Sequence, residues 1–179
     1  MNTKIFFITV LSFFFVADVY GQEPYQTFST ARFKVKCGCK LYVNSTFIQM
    51  AKQQGANNII AAYICAENQD DPDTGVIYNV NILNESNGYK DIQPPNYSLF
   101  EKDFLQQYAN NLANSGISYR YRYSTFQGIT SLEYTFDQQG IPTKAVLFLK
   151  NKKSYFLQAG TRTNLTTKFN LIKSSFVIL

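Results

Sequence analysis

Three cysteines, at positions 37, 39 and 65, are the residues whose type and spacing could most directly carry chemistry. In an oxidising compartment Cys65 could pair with Cys37 or with Cys39, and one thiol would remain. The segment Cys37-Gly38-Cys39 could instead be a redox pair, since closely spaced thiols exchange disulfides. No thioredoxin-like βαβ pattern surrounds it, and its cysteines do not begin a helix that would lower a thiol pKa. The pattern therefore favours a structural disulfide, and redox chemistry is the alternative.

Other catalytic and metal chemistry has little support in the sequence. Histidine is absent, which removes histidine-dependent nucleophilic sites and the common metal sites. Three cysteines without histidine form a poor zinc ligand set. Neither a phosphate-binding loop nor a dinucleotide-binding glycine motif is present, and the carboxylates show no spacing that forces a paired acid–base site. We expect no cofactor, no metal and no enzymatic activity.

A row of basic residues is the clearest candidate for a binding face. Residues 31–43 alternate between apolar and polar side chains, which predicts one half-buried strand. The apolar side holds Phe33, Val35, Cys37, Cys39 and Leu41, and the basic side holds Arg32, Lys34, Lys36 and Lys40. The basic side could bind an acidic partner, or the segment could be an edge strand whose lysines prevent aggregation. The pattern favours the edge strand slightly.

An acidic segment contains Asp70, Asp71 and Asp73 and is followed by Gly75. It partly resembles a calcium loop, but the full spacing and the terminal glutamate of such a loop are missing. A solvated hairpin turn is the better prediction.

Tyrosine and arginine alternate over residues 119–123. Aromatic and basic side chains together can bind nucleic acid by stacking and charge. On a strand, however, the rings and the cations point to opposite sides of the sheet. We therefore predict core tyrosines with a polar outer face and no nucleic-acid partner.

The first 21 residues have the pattern of a secretory signal peptide. Lys4 precedes an apolar run that is too short for a spanning helix, and cleavage after Gly21 would leave Gln22 as the first residue. Residues 22–179 fit a single domain without a transmembrane segment. We predict an exported protein, periplasmic or secreted, and the abundance of Phe, Ile, Asn and Lys is typical of a bacterium. The formal net charge of +5 is compatible with an acidic partner.

The periodicity predicts an α+β domain with an antiparallel sheet flanked by helices. Four strands over residues 117–160 are separated by short turns, and such short connections can join only antiparallel strands. Two earlier strands lie at 59–67 and 75–83. A short helix follows Asn44, and a long helix spans Ser98–Ser115 with a capping box at Ser98 and Glu101. A last helix contains Phe169 and Ile172.

The C-terminal half carries a family resemblance. The order of elements, the segment LEYTFDQQGIPTKAVLFLKNKKSYFLQAG and the closing Ser174-Ser175-Phe176 resemble the Mog1/PsbP/DcrB-like proteins. This resemblance implies an α/β/α sandwich and an accessory or partner-binding role without catalytic residues. The Cys37-Gly38-Cys39 segment departs from the family pattern. Our leading hypothesis is therefore an exported, non-catalytic domain that binds a protein or an acidic glycan in the cell envelope, and the alternative is a thiol-disulfide redox protein.

Overall fold

The computed structural model describes residues 24–68, 70–71, 73–114 and 119–179. The predicted signal peptide lies outside these ranges, as do residue 115 of the predicted long helix and residues 117–118 of the first meander strand. The described part contains ten strands and three helices. Their bounds are β1 Gln26–Phe28, β2 Phe33–Val35, β3 Tyr42–Val43, α1 Ser45–Gln53, β4 Ile59–Glu67, β5 Val76–Asn84, α2 Tyr97–Asn114, β6 Tyr119–Phe126, β7 Ile129–Gln138, β8 Ile141–Lys150, β9 Lys153–Thr161, α3 Leu165–Ser175 and β10 Val177–Ile178.

Seven strands form one antiparallel sheet in the order β3-β4-β5-β9-β8-β7-β6. Strands β6 to β9 are joined by two-residue turns at 127–128, 139–140 and 151–152, and all six turn residues have positive φ. Positive φ at both central positions is the geometry of type I′ turns, whose twist matches that of the strands they connect. The antiparallel meander predicted from the sequence is confirmed.

Helices cover both faces of this sheet. Helix α3 and a small sheet, ordered β1-β2-β10, cover one face, and buried side chains of β5, β8 and β9 point toward them. Helix α2 covers the other face above β7 and β8, where Leu105 and Ala109 are buried among the sheet residues Leu132, Ala145 and Leu147. The predicted α+β class and the sandwich of an antiparallel sheet between helices are confirmed.

The single strand predicted for residues 31–43 is wrong. The chain forms β2, leaves extended pairing after Val35 and pairs again only at β3. Between these strands, backbone N–H groups bond to side chains and not to a neighbouring strand. The Lys36 N–H donates to Ser175 Oγ, and the Leu41 N–H donates to Gln26 Oε1. Strand β2 is also the central strand of its small sheet and not an edge strand.

The capping box predicted for the long helix is also wrong. Ser98 is the second residue of α2, and a short 3₁₀ turn over Pro94–Asn96 leads directly into the helix. The Glu101 carboxylate accepts a hydrogen bond from the Tyr89 hydroxyl at 2.9 Å. The predicted apolar stripe does pack against the sheet, but Phe104 is only half-buried, and the fully buried positions are Leu105 and Ala109.

The two positions should therefore differ in their effect on stability. Leu105→Ala should lower the free energy of unfolding by about 2–5 kcal/mol, because it removes buried methyl groups and leaves a cavity. Phe104→Ala should cost clearly less, because part of that ring is already in water. Urea denaturation of the two variants and the wild type measures both values. An equal or larger loss for Phe104→Ala would mean that α2 is rotated relative to this structure.

Candidate functional site

One half of the α2 face of the sheet is open. Helix α2 lies over β6, β7 and β8, α1 packs against β4, and the part of the same face on β5 and β9 lies between these two helices. Along β5, Tyr78, Val80 and Ile82 are buried toward the α3 face, whereas Asn79 and Asn81 alternate with them and are half-buried on the open face. The chain thus places polar side chains where the sheet is not covered.

A groove of about 570 Å³ lies above these strands. Its floor includes Asn81 and Gln158, and aromatic rings surround the floor. The groove is lined by residues of α1 and the following loop, of α2, of β4, β5 and β9, and of the β7–β8 hairpin. They are Phe47, Ala51, Ala56, Ile59, Asn81, Leu83, Tyr108, Phe136, Asp137, Gln138, Gln139, Phe156 and Gln158.

The strand register explains the composition of the floor. Asn79 lies opposite Gln158, and Asn81 lies opposite Phe156, so that amides and a ring share one face. The floor continues into a narrower cavity of about 70 Å³ beside Gly160. A Cβ atom on Gly160 would lie 2.8 Å from Thr143 Oγ1, so this close approach requires glycine.

The groove carries little charge. Burial raises the pKa of Tyr108, and a hydrogen bond between the Tyr108 and Tyr134 hydroxyls spans 3.0 Å. Burial also raises the pKa of Tyr134 well above its ordinary value, so both hydroxyls are neutral at physiological pH. Asp137 is the one carboxylate among the lining residues, and its Oδ1 accepts from the Gly140 N–H. The side chains of Asn79 and Asn81 make no hydrogen bond to other described residues. The lining offers amide hydrogen bonds and ring surfaces.

The cysteines lie elsewhere, next to the small sheet. Cys39 and Cys65 form a disulfide that joins the segment after β2 to β4. This resolves the pairing that the sequence left open. Cys37 is buried outside the disulfide, with its Sγ 3.9 Å from Cys65 Sγ and 3.1 Å from the Cys39 carbonyl oxygen. A Cβ atom at Gly38 would overlap the Glu67 carboxylate, which pairs with Lys168 and would have to move.

The structure separates the predicted basic row into three places. Lys34 and Lys36 lie together, with their ammonium groups 4.9 and 4.8 Å from the centre of the Tyr25 ring. Arg32 has a positive φ, and its Nε donates to the carbonyl oxygen of Leu179. Lys40 is exposed beside a cavity of about 510 Å³ that Cys37, Gly38 and Cys39 also line. The role of this row in binding stays a prediction.

The acidic segment forms the turn between β4 and β5. Asp71 Oδ1 accepts from the backbone N–H groups of Asp73 and Thr74, and Oδ2 accepts from the Thr74 hydroxyl. The Thr74 hydroxyl and the two N–H groups lower the pKa of Asp71. No group of metal ligands exists within the described residues.

The tyrosines of β6 are not the core residues that we predicted. Tyr121 and Tyr123 are 44% and 43% exposed, because β6 is an edge strand of the sheet. The arginines do lie on the opposite side, where Arg122 reaches Glu133.

Glu133 is a buried acid whose role the sequence did not reveal. It is 3% exposed on β7, and it accepts hydrogen bonds from Arg122 of β6 at 2.7 Å and from Lys173 of α3. Burial acts to raise its pKa, but the hydrogen bonds from Lys173 and Arg122 outweigh burial and lower the pKa. The carboxylate thus holds α3 to the edge of the sheet. The sequence feature that could have indicated this buried role is the presence of a glutamate inside the apolar run LEYTF.

Comparison with known proteins gives a similarity of fold. No protein-family model matches the chain, and no curated protein matches it. Among solved structures, the chain is similar to cyanobacterial PsbP (CyanoP) from Synechocystis sp. PCC 6803, with 12% identity and a TM-score of 0.34 over 83% of this chain and 94% of that one. It is also similar to PA94, a protein of unknown function from Pseudomonas aeruginosa, with 10% identity and a TM-score of 0.41 over 57% of this chain and 69% of that one.

The PsbP structure agrees with the weak family resemblance found in the sequence. At these TM-scores neither similarity carries an argument about function. Within the described residues, no helix has the length and apolar character needed to cross a bilayer.

Glu133 should make stability depend on pH. Its pKa is 4.5 in an unfolded chain and lower in the fold, so its contribution is present above pH 4.5 and is lost as the pH falls through the folded-state value. Glu133→Gln should lower stability at pH 7 by about 1–3 kcal/mol. It should also flatten the decline of stability in acid, as measured by urea denaturation between pH 7 and pH 3. Asp103→Asn, at an exposed carboxylate of α2, is the control and should change neither value. An unchanged acid slope in Glu133→Gln would contradict this role.

Proposed function

We propose that this chain is an exported, non-catalytic domain that binds a glycan of the cell envelope in the groove above β5 and β9. The groove carries the proposal, because it combines concave shape, the half-buried amides of Asn81 and Gln158 and several aromatic rings. Concave sites with a few placed polar groups on an apolar lining are typical of ligand binding.

The chemistry of the lining favours a glycan over a protein segment. Sugar hydroxyls are donors and acceptors, and so are the amides of Asn79, Asn81 and Gln158. The C–H faces of sugar rings are flat and apolar, and they match the exposed ring of Phe47 and the half-buried rings of Tyr108 and Phe156.

The charge of the groove favours a neutral glycan. Its lining has no cation, and its one carboxylate, Asp137, would repel an acidic sugar. An acidic glycan or an acidic protein would instead be attracted to Lys34 and Lys36 beside Tyr25. The two possibilities therefore predict different responses to salt, because screening weakens only the charged interaction.

Binding to a panel of neutral and acidic oligosaccharides, including glucan, chitin and peptidoglycan fragments, tests the proposal by calorimetry. We expect a neutral member to bind with an affinity that is the same in low and high salt. Asn81→Ala and Phe47→Ala should each weaken it about tenfold, which corresponds to about 1.4 kcal/mol. Asn170→Ala, at an exposed asparagine on α3, is the matched control. Binding that is lost in high salt, or in Lys34→Gln/Lys36→Gln but not in Asn81→Ala, would move the site to the basic residues.

Thiol-disulfide exchange is the second candidate function, and the position of Cys37 favours it. A Cys37 thiolate could attack Cys65 Sγ from 3.9 Å, form a Cys37–Cys65 disulfide and release Cys39 as a thiolate. Of the two cysteines in the disulfide, Cys39 is more accessible to solvent than Cys65, and it lines a surface cavity. In this form of the hypothesis, Cys37 and Cys39 are alternative partners of Cys65.

Peptide mapping without reductant separates the two candidates. A structural disulfide predicts one Cys39–Cys65 bond and one thiol per molecule, unchanged by a glutathione redox buffer. Exchange predicts that a Cys37–Cys65 species appears in that buffer, and that the protein reshuffles a scrambled disulfide substrate. Cys37→Ala should abolish both signals and should leave glycan binding intact. Neither signal in the wild type would exclude the exchange function.

A further inference from the structure

The sheet has one long open edge. In the described part of the chain the strand order ends at β6, which has eight residues paired only with β7. In an antiparallel ladder, alternate residues of an edge strand turn their N–H and C=O groups away from the sheet. Such groups can pair with another extended chain, and for this reason natural proteins usually shorten or cover their edges.

The opposite edge of the same sheet is blunted in this way. Strand β3 has only two residues, and α1 begins directly after it. The Asn44 N–H continues the contact by donating to the Ala62 carbonyl oxygen at 2.8 Å. The contrast between the two edges shows that β6 is unusual within its own fold.

Aromatic side chains are held in place along this edge. The rings of Tyr121 and Tyr123 are 6.0 Å apart and nearly perpendicular, on the α2 side of the sheet. The Tyr123 hydroxyl donates to Gln106 Oε1 of α2 at 2.8 Å, which fixes the orientation of that ring. A partner strand would find two oriented apolar surfaces on this side of the sheet.

The other side of the edge is basic. Arg120 is exposed and takes no part in the ion pairs among described residues, and Arg122 remains 71% exposed although it contacts Glu133. Glu133 is buried and also binds Lys173, so it does not present a negative charge at the surface. The strand therefore presents two guanidinium groups two residues apart.

We propose that β6 receives an extended acidic segment of another protein as an additional strand. The period of two along a strand sets the chemistry of that segment: acidic side chains at alternate positions would meet Arg120 and Arg122, and apolar or aromatic side chains between them would pack on Tyr121 and Tyr123. A second copy of this chain fits less well, because pairing β6 with itself brings arginines against arginines. This surface shares no residue with the lining of the groove and does not depend on the glycan proposal.

Three synthetic peptides test the proposal on the full-length protein. The first is an eight-residue peptide that alternates glutamate and valine. The second replaces glutamate by lysine, and the third carries an N-methyl group on every backbone amide, so that neither of its edges can donate to a ladder. We expect the first peptide alone to bind in fluorescence anisotropy, with weaker binding in high salt, and to protect amides of residues 119–126 from hydrogen exchange.

Arg120→Gln should weaken binding of the first peptide about two- to fivefold. Lys52→Gln, at an exposed lysine of α1 far from β6 in the strand order, is the matched control and should have no effect. Equal binding of the N-methylated peptide would overturn the proposal, because the backbone of β6 would not be used. Failure of the glutamate peptide to bind, or a concentration-dependent dimer whose contacts protect residues 119–126, would also overturn it.

Discussion

A stack of aromatic rings joins the small sheet to the large one, and the rest of the structure depends on it. Phe33 of β2 lies 5.2 Å from Phe176, between α3 and β10, and Phe176 lies 5.9 Å from Tyr155 of β9. Tyr155 stacks in turn on Phe148 of β8 at 5.2 Å. Each such ring removes a large apolar area from water, and the four together connect the beginning of the described chain to its end. Without this stack the small sheet would lose its support, and the segment that carries Cys37 and Cys39 would lose its position.

The stack also makes the two faces of the sheet unequal. The small sheet and α3 together cover the central strands β5, β9 and β8 on one face, whereas on the other face α2 packs over β7 and β8 and the short α1 packs against β4. One helix is about 10 Å wide, and two neighbouring strands span about the same distance, so α2 can cover only part of seven strands. The sequence follows this division: Leu132, Ala145 and Leu147 lie under α2, and Asn79 and Asn81 lie beside it. The open groove is therefore a consequence of how the core is distributed.

Local patterns predicted most of the fold, because alternation and turn residues act over a few positions. Strand β4 was predicted at its observed bounds, and the turn at 127–128 was visible as a break between apolar runs. The strand over residues 31–43 failed because its backbone partners, Gln26 and Ser175, are far away in sequence. The same limit explains Tyr121: whether a strand tyrosine is core or surface depends on the strand order, and no local pattern reports that order.

The candidate sites were less predictable for a related reason. Cysteine spacing limited the disulfide to two pairings, and only the fold decides that Cys39 faces Cys65. The groove is a gap between α1 and α2, so it has no motif, although the polar positions of β5 were a readable sign that one face of that strand is not fully covered.

Charge separates the surfaces that remain available for partners. The net charge of +5 is not spread evenly over the surface. Lys173 and Arg122 both form ion pairs with Glu133, and Lys168 forms an ion pair with Glu67 at 3.1 Å. Lys34 and Lys36 gather beside Tyr25, and Arg120 lies on the open edge. The groove has no cation among its lining residues. An acidic partner is thus attracted to the small sheet or to β6 and gains no such attraction in the groove, so a neutral ligand and an acidic protein could bind the same molecule without competing for one site.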